Sequence, residues 1–232
     1  MNNKPTRLLL LIYAITVFLL TSCGDNDISL NGRMLNGLLW REIGPGTYGG
    51  RISAIAVAPG ETKTLFVSPS TGGIYRSGDE GQNWVPVFDG AGRSLAIGDI
   101  DISESDPMLI WVGSGEASGE QSPASIGDGV YKSTDGGDSW TNMGLNGTRH
   151  ISRIVIHPEN NDIVFAGATG SRWGENEERG VFRTTDGGVS WERVLYINEN
   201  TGISDIVIMP GGKTLYASAW EQRRNAWAHV RT

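Results

Sequence analysis

One cysteine, Cys23, stands in 232 residues, so no disulfide within the chain can hold the fold, and its stability must come from buried apolar surface and repetition. Basic charge is scarce too. Nineteen Lys and Arg against 26 Asp and Glu leave a net charge of −7, and no basic stripe gathers what there is, which speaks against a nucleic-acid partner. The three histidines, His150, His157 and His229, lack zinc-like spacing. No calcium-ligand pattern repeats in the acidic loops, and neither a phosphate-binding glycine loop nor a nucleophile elbow occurs. No cofactor and no metal are therefore expected. Long apolar runs are missing as well: the one at residues 8–20 has 13 residues, short of the roughly 20 that a membrane-spanning helix needs.

That short run has another reading. Lys4 and Arg7 precede it, and Leu20-Thr21-Ser22-Cys23 closes it. The pattern is that of a bacterial lipoprotein signal peptide over 1–22, cleaved before a lipidated Cys23. Residues 23–37, polar and rich in Gly and Asn, read as a tether. The expected location is the cell envelope, at the outer membrane or cell surface, with a lipid anchor as the membrane contact.

Glycine is what the chain has in plenty, 33 residues of 232, about twice the usual share of roughly 7%. Much of it falls in a repeat. GIYRSGDEGQNW (73–84), GVYKSTDGGDSW (129–140) and GVFRTTDGGVSW (180–191) recur at offsets of 56 and 51. Each begins as an alternating, β-branched and aromatic strand. Each continues into an Asp-Gly turn whose carboxylate can accept backbone N–H bonds while glycine takes positive φ. A tryptophan then opens the return strand and buries its ring. A period of this length made of strands and turns predicts an all-β chain, a β-propeller of four-stranded antiparallel blades.

The repeat fits Ser/Thr-x-Asp-x-Gly-x-x-Trp: Ser77, Asp79, Gly81, Trp84; Ser133, Asp135, Gly137, Trp140; Thr184, Asp186, Gly188, Trp191. It resembles the Asp-box, or bacterial neuraminidase repeat, of sialidases, xyloglucan-cleaving hydrolases and the sortilin luminal domain. Residues 40–227 look most like bacterial secreted proteins with a sortilin-type N-terminal domain, often labelled glycosyl hydrolases. The resemblance implies the fold. It does not bring a catalytic set with it: the family's xyloglucan hydrolases place an aspartate just before the Gly-Gly of their first blade, where Pro69-Ser70-Thr71 stands here, and the Arg-Ile-Pro of sialidases becomes Arg51-Ile52-Ser53.

Within the domain 38–232, strands are expected at 52–58, 64–68, 73–77 and 84–88, then 97–102, 109–113, 129–133 and 140–143, then 151–157, 163–167, 180–184 and 191–195. A fourth blade opens at 203–209 and 214–219. Trp40-Arg41-Glu42-Ile43 resembles one more return strand. About three and a half blades are thus expected, an incomplete ring, as in a fragment of a larger protein. The loops joining second to third strands share the rim opposite the box turns, and their length marks them as the place for function. There stand Arg149, His150, Arg172, Trp173, Glu175, Trp220 and Arg223 as ligand-binding candidates, with Trp173 or Trp220 able to stack on a sugar face. Glu116 and Glu120 are the candidate catalytic carboxylates, since glycosidases use a pair. The favoured reading is a lipid-anchored propeller that binds a glycan, peptide or protein partner on this rim. The alternative is a glycoside hydrolase resembling xyloglucanases.

Overall fold

A computed structural model of the chain describes residues 51–60, 63–117, 125–221, 223–225 and 228–230, all within one compact unit, Pro45–Thr232. The signal peptide, Cys23, the tether, residues 40–43 and Glu120 lie outside the described residues.

Three blades of four antiparallel strands follow one another, each strand hydrogen-bonded to the next in sequence. The first holds β1 (Ile52–Val57), β2 (Leu65–Pro69), β3 (Tyr75–Ser77) and β4 (Val85–Pro86). The second holds β5 (Ile97–Ile102), β6 (Ile110–Ser114), β7 (Val130–Ser133) and β8 (Thr141–Asn142). The third holds β9 (Ile151–His157), β10 (Asn160–Ala168), β11 (Gly180–Thr184) and β12 (Glu192–Leu195). A fourth sheet pairs β13 (Thr201–Ile208) with β14 (Leu215–Glu221). The expected all-β propeller of four-stranded blades is what is found.

Two differences stand out. The outermost strands are shorter than expected, two residues in β4 and β8; in β4, Pro86 has no N–H to continue a ladder. Arg223, expected in a loop, instead lies on β15 (Arg223–Asn225), which pairs with β16 (Ala228–Val230).

The first strands of the blades, β1, β5, β9 and β13, lie side by side around an axis. Apolar clusters fill the wedges between neighbouring blades. Phe66, Phe88, Ile97, Ile100 and Tyr131 occupy the first wedge, Trp111, Ile151, Ile154, Val164 and Phe182 the second, and Val155, Val181, Ile203 and Ile206 the third. Middle strands are therefore buried on both faces, as in β6, where every residue is buried. A Cβ on Gly98 would collide with the Ile151 carbonyl of the next blade, so glycine sets how closely β5 and β9 approach.

Candidate functional site

The three box turns are nearly superimposable in their bonding. Ser77, Ser133 and Thr184 donate a hydroxyl to Asp79, Asp135 and Asp186 at 2.8, 2.7 and 2.7 Å. The same hydroxyls accept the N–H of Gly81, Gly137 and Gly188. Each aspartate also accepts the N–H four residues on, from Asn83, Ser139 and Ser190. So many donors favour the ionised carboxylate. Asp135 is held down to about 2, first by the Ser139 hydroxyl. Asp79 is lowered first by the Asn83 N–H, and Asp186 first by the Ser190 hydroxyl. These carboxylates are occupied with their own turns.

Register places the other rim. Ile97 pairs with Ser114, Ile151 with Ala168 and Thr201 with Glu221. The starts of the inner strands thus share one end with the long loops that follow β6 and β10. At that end, at the mouth of the axis, opens a cleft of about 250 Å³ lined by Ser53, Asp99, Arg153, Thr169, Asp205 and Trp220 among others. Asp99, Arg153 and Asp205 occupy the same position of β5, β9 and β13, where β1 has Ala54. The Arg153 guanidinium stands between two carboxylates, 3.6 Å from Asp99 and 3.5 Å from Asp205. Asp99 is pushed up to about 6 by burial, against the opposing pull of the Ile154 N–H and Arg153. The Ile154 N–H donates to its Oδ2 at 2.9 Å, and the Ile156 N–H donates to Asp101 at 2.7 Å, so both aspartates tie blade two to blade three. Asp205, more than half exposed, and Trp220, 42% exposed, keep their outer faces toward the cleft.

The residues that the sequence nominates divide into two groups. Trp173, Trp220, Glu175 and Arg149 are exposed on the rim, and Arg149 holds φ at 63° while its carbonyl accepts the Gly127 N–H. His150, Arg172 and Glu116 are buried. His150 Nδ1 meets the Gly170 carbonyl at 3.0 Å, Arg172 donates to the Ala117 carbonyl, and Glu116 pairs with Arg51. Arg179, wholly buried, donates to the carbonyls of Thr169 and Ser171. These side chains fold the loops. Glu116, ion-paired and enclosed, is not placed as an open acid or base; of the nominated binders, Trp220 lines the cleft. Among the described residues, no group of three His, Cys, Asp or Glu is placed to hold a metal ion. Sequence patterning alone passes over Asp99, Arg153 and Asp205. Superposing the repeated Ile-Ser/Gly-x-Ile of the inner strands would have found them, because the variable position carries all three charges.

No family model matches the chain. A xyloglucanase of Paenibacillus sp. is 25% identical over 184 residues, covering 72% of this chain and 17% of that protein. A xyloglucanase of Acetivibrio thermocellus is 27% identical over 179 residues, covering 72% of this chain and 20% of that protein. Among solved structures, an ancestral GH74 enzyme superposes with a TM-score of 0.58 at 23% identity, over 77% of this chain and 23% of its own. The chain spans about a fifth of the length of the curated relatives it matches. Fold and relatives together make this chain a β-propeller with a glycoside hydrolase-like relationship to xyloglucanases.

Proposed function

We propose that the chain is the propeller portion of a glycoside hydrolase-like protein directed at a xyloglucan-type polysaccharide, and that its part is to grip the glycan on the rim opposite the box turns. The observation that supports this most is the cleft at the axis mouth, where Arg153 and Asp205 offer charged hydrogen-bonding groups beside the indole of Trp220. Sugar rings present a hydroxyl edge and an apolar face, and this lining answers both. Carboxylates for cleavage come partly from outside this chain in this reading. Serine and threonine at Ser70 and Thr71 stand where the resemblance would put an aspartate, and Glu116 is sealed by Arg51. The relatives' substrate favours the hydrolase setting over a peptide- or protein-binding module.

Affinity electrophoresis of the full-length protein in xyloglucan gels, with reducing-sugar release measured alongside, tests the reading. Retardation is expected, and Trp220→Ala and Asp205→Asn each weaken it about tenfold without moving the melting temperature. Absence of both retardation and sugar release, or variants that bind as the parent does, would sink it.

A further inference from the structure

Left-handed backbone in this chain belongs mostly to glycine. Among the described residues sixteen glycines hold positive φ, and three other residues do: Glu80, Leu145 and Arg149. Arg149 has φ 63° and ψ −40°, and across it the His150 N–H donates to the Thr148 carbonyl at 2.7 Å. That is a three-residue γ-turn of the rare, strained hand. Both long loops of the rim clamp it. The Arg149 carbonyl accepts the Gly127 N–H at 2.7 Å, and a Cβ on Gly115 would collide with that oxygen, so the loop after β6 closes over it. The His150 carbonyl accepts the Thr169 N–H at 2.9 Å, and His150 Nδ1 meets the Gly170 carbonyl at 3.0 Å, so the loop after β10 holds the other side. Thr148 and His150 are buried, and Arg149 between them is exposed.

The connection explains the turn but not the residue. Ile151 follows Trp140 by 11 residues, where Ile97 follows Trp84 by 13 and Ile203 follows Trp191 by 12. The shortest crossover takes the tightest turn; Leu95 and Thr201, two residues before Ile97 and Ile203, are not left-handed. Glycine would hold this φ without strain, and the chain supplies glycine at nearly every other such position. Strain kept in a side-chain-bearing residue is a mark of binding sites. Among the described residues nothing accepts from the Arg149 guanidinium. Thr169, bonded to this turn, also lines the cleft at the axis mouth, and a polysaccharide runs past a cleft of about 250 Å³ onto the rim beside it. We infer that Arg149 is a glycan-binding residue, held in its strained turn so that the planar guanidinium fork meets neighbouring hydroxyls of a sugar next to the one in the cleft. This rests on the glycan-gripping reading above and adds a contact outside the cleft.

Two substitutions in the full-length protein separate strain from binding. Arg149→Ala removes the guanidinium and leaves a Cβ in the strained turn, whereas Arg149→Gly removes both. In xyloglucan gels each should bind about tenfold more weakly than the parent, the scale of one hydrogen-bonded charged group. In urea the midpoint of Arg149→Gly should lie above that of Arg149→Ala. Retardation of the parent that Trp220→Ala weakens and both Arg149 variants retain leaves the cleft reading standing and overturns this inference. No retardation of the parent removes both. A glycine midpoint at or below the alanine midpoint shows an unstrained turn and overturns the inference too. So do midpoints of both variants well below the parent's, because the arginine would then be holding the loops together.

Discussion

Trp84 and Trp140 end almost identical hairpins and meet different fates. The serine, aspartate and glycine bonds of the two turns agree within about a tenth of an ångström. Yet Trp140 reaches into the neighbouring blade, edge-on to Phe88 at 5.3 Å, whereas Trp84 among the described residues folds onto its own turn. Trp191 behaves as Trp140 does, edge-on to Trp111 at 6.0 Å. A box is therefore two devices. Its aspartate shapes a hairpin that is complete in itself, and its tryptophan joins that hairpin to whatever precedes it. The first is local chemistry. The second exists only where a neighbour exists, as expected of a repeat architecture in which each unit buries its face against the next.

The largest effect that separates the two is on stability. Trp140→Ala and Trp191→Ala should each cost roughly 3–5 kcal/mol, as truncation of a packed indole does. Trp84→Ala, at a half-exposed indole that bonds to its own turn, should cost less than about 1 kcal/mol, the scale of an exposed substitution. Urea midpoints of the parent and the three variants measure this. A small loss at Trp140 would break the distinction between joined and unjoined boxes.

Next in size is an effect of pH that divides the two kinds of aspartate. Asp99 sits at a blade junction and is pushed up to about 6 from the ordinary 3.8. Its contribution to stability is fully present below pH 3.8 and is lost as pH rises through about 6. Asp99→Asn removes that loss, so the variant should gain on the parent between pH 4 and pH 7.5 by about 3 kcal/mol, the size of such a displacement. Asp135, held down to about 2, has the opposite sign: its contribution is present above pH 3.8 and disappears as pH falls toward 2. Asp135→Asn should flatten the acid limb and leave the neutral one unchanged. Denaturation midpoints across pH 2–8 read both, and parallel curves for Asp99→Asn and the parent would show that the junction carboxylate is not strained by burial.

The same division explains what could be read from the residues. Hairpins were legible because a Ser, an Asp and a Gly at fixed spacing determine a turn locally, and β3, β7 and β11 lie where the repeat puts them. The rim was legible as a place, since strand alternation fixes which loops share an end. Its chemistry was not. Arg172 reads in sequence as a rim ligand and Glu116 as a catalytic carboxylate, but Arg172 donates to the Ala117 carbonyl of a neighbouring loop and Glu116 pairs with the Arg51 guanidinium. Asp99, Arg153 and Asp205 are 52 to 106 residues apart in sequence and meet only through the ring, which no local pattern encodes.

The smallest expected effect concerns the third strand's basic residue, a finer version of the same contrast. Arg76 donates to the Gly136 carbonyl at 2.8 Å and Lys132 donates to the Gly187 carbonyl at 3.1 Å, each reaching the box turn of the following blade. Lys132 also lies 5.2 Å above the Trp111 ring. Arg183, the third of the series, pairs with the exposed Glu192 of its own blade. Lys132→Met keeps the aliphatic length and removes the cross-blade hydrogen bond to a charged donor, a loss of about 1 kcal/mol. Arg183→Met removes a surface ion pair and should change stability by less than about 0.5 kcal/mol. Chemical denaturation resolves that difference. Equal losses at the two positions would mean that the basic residue acts within its own strand, and that the polar contacts joining blade to blade are those of the indoles and the inner-strand aspartates.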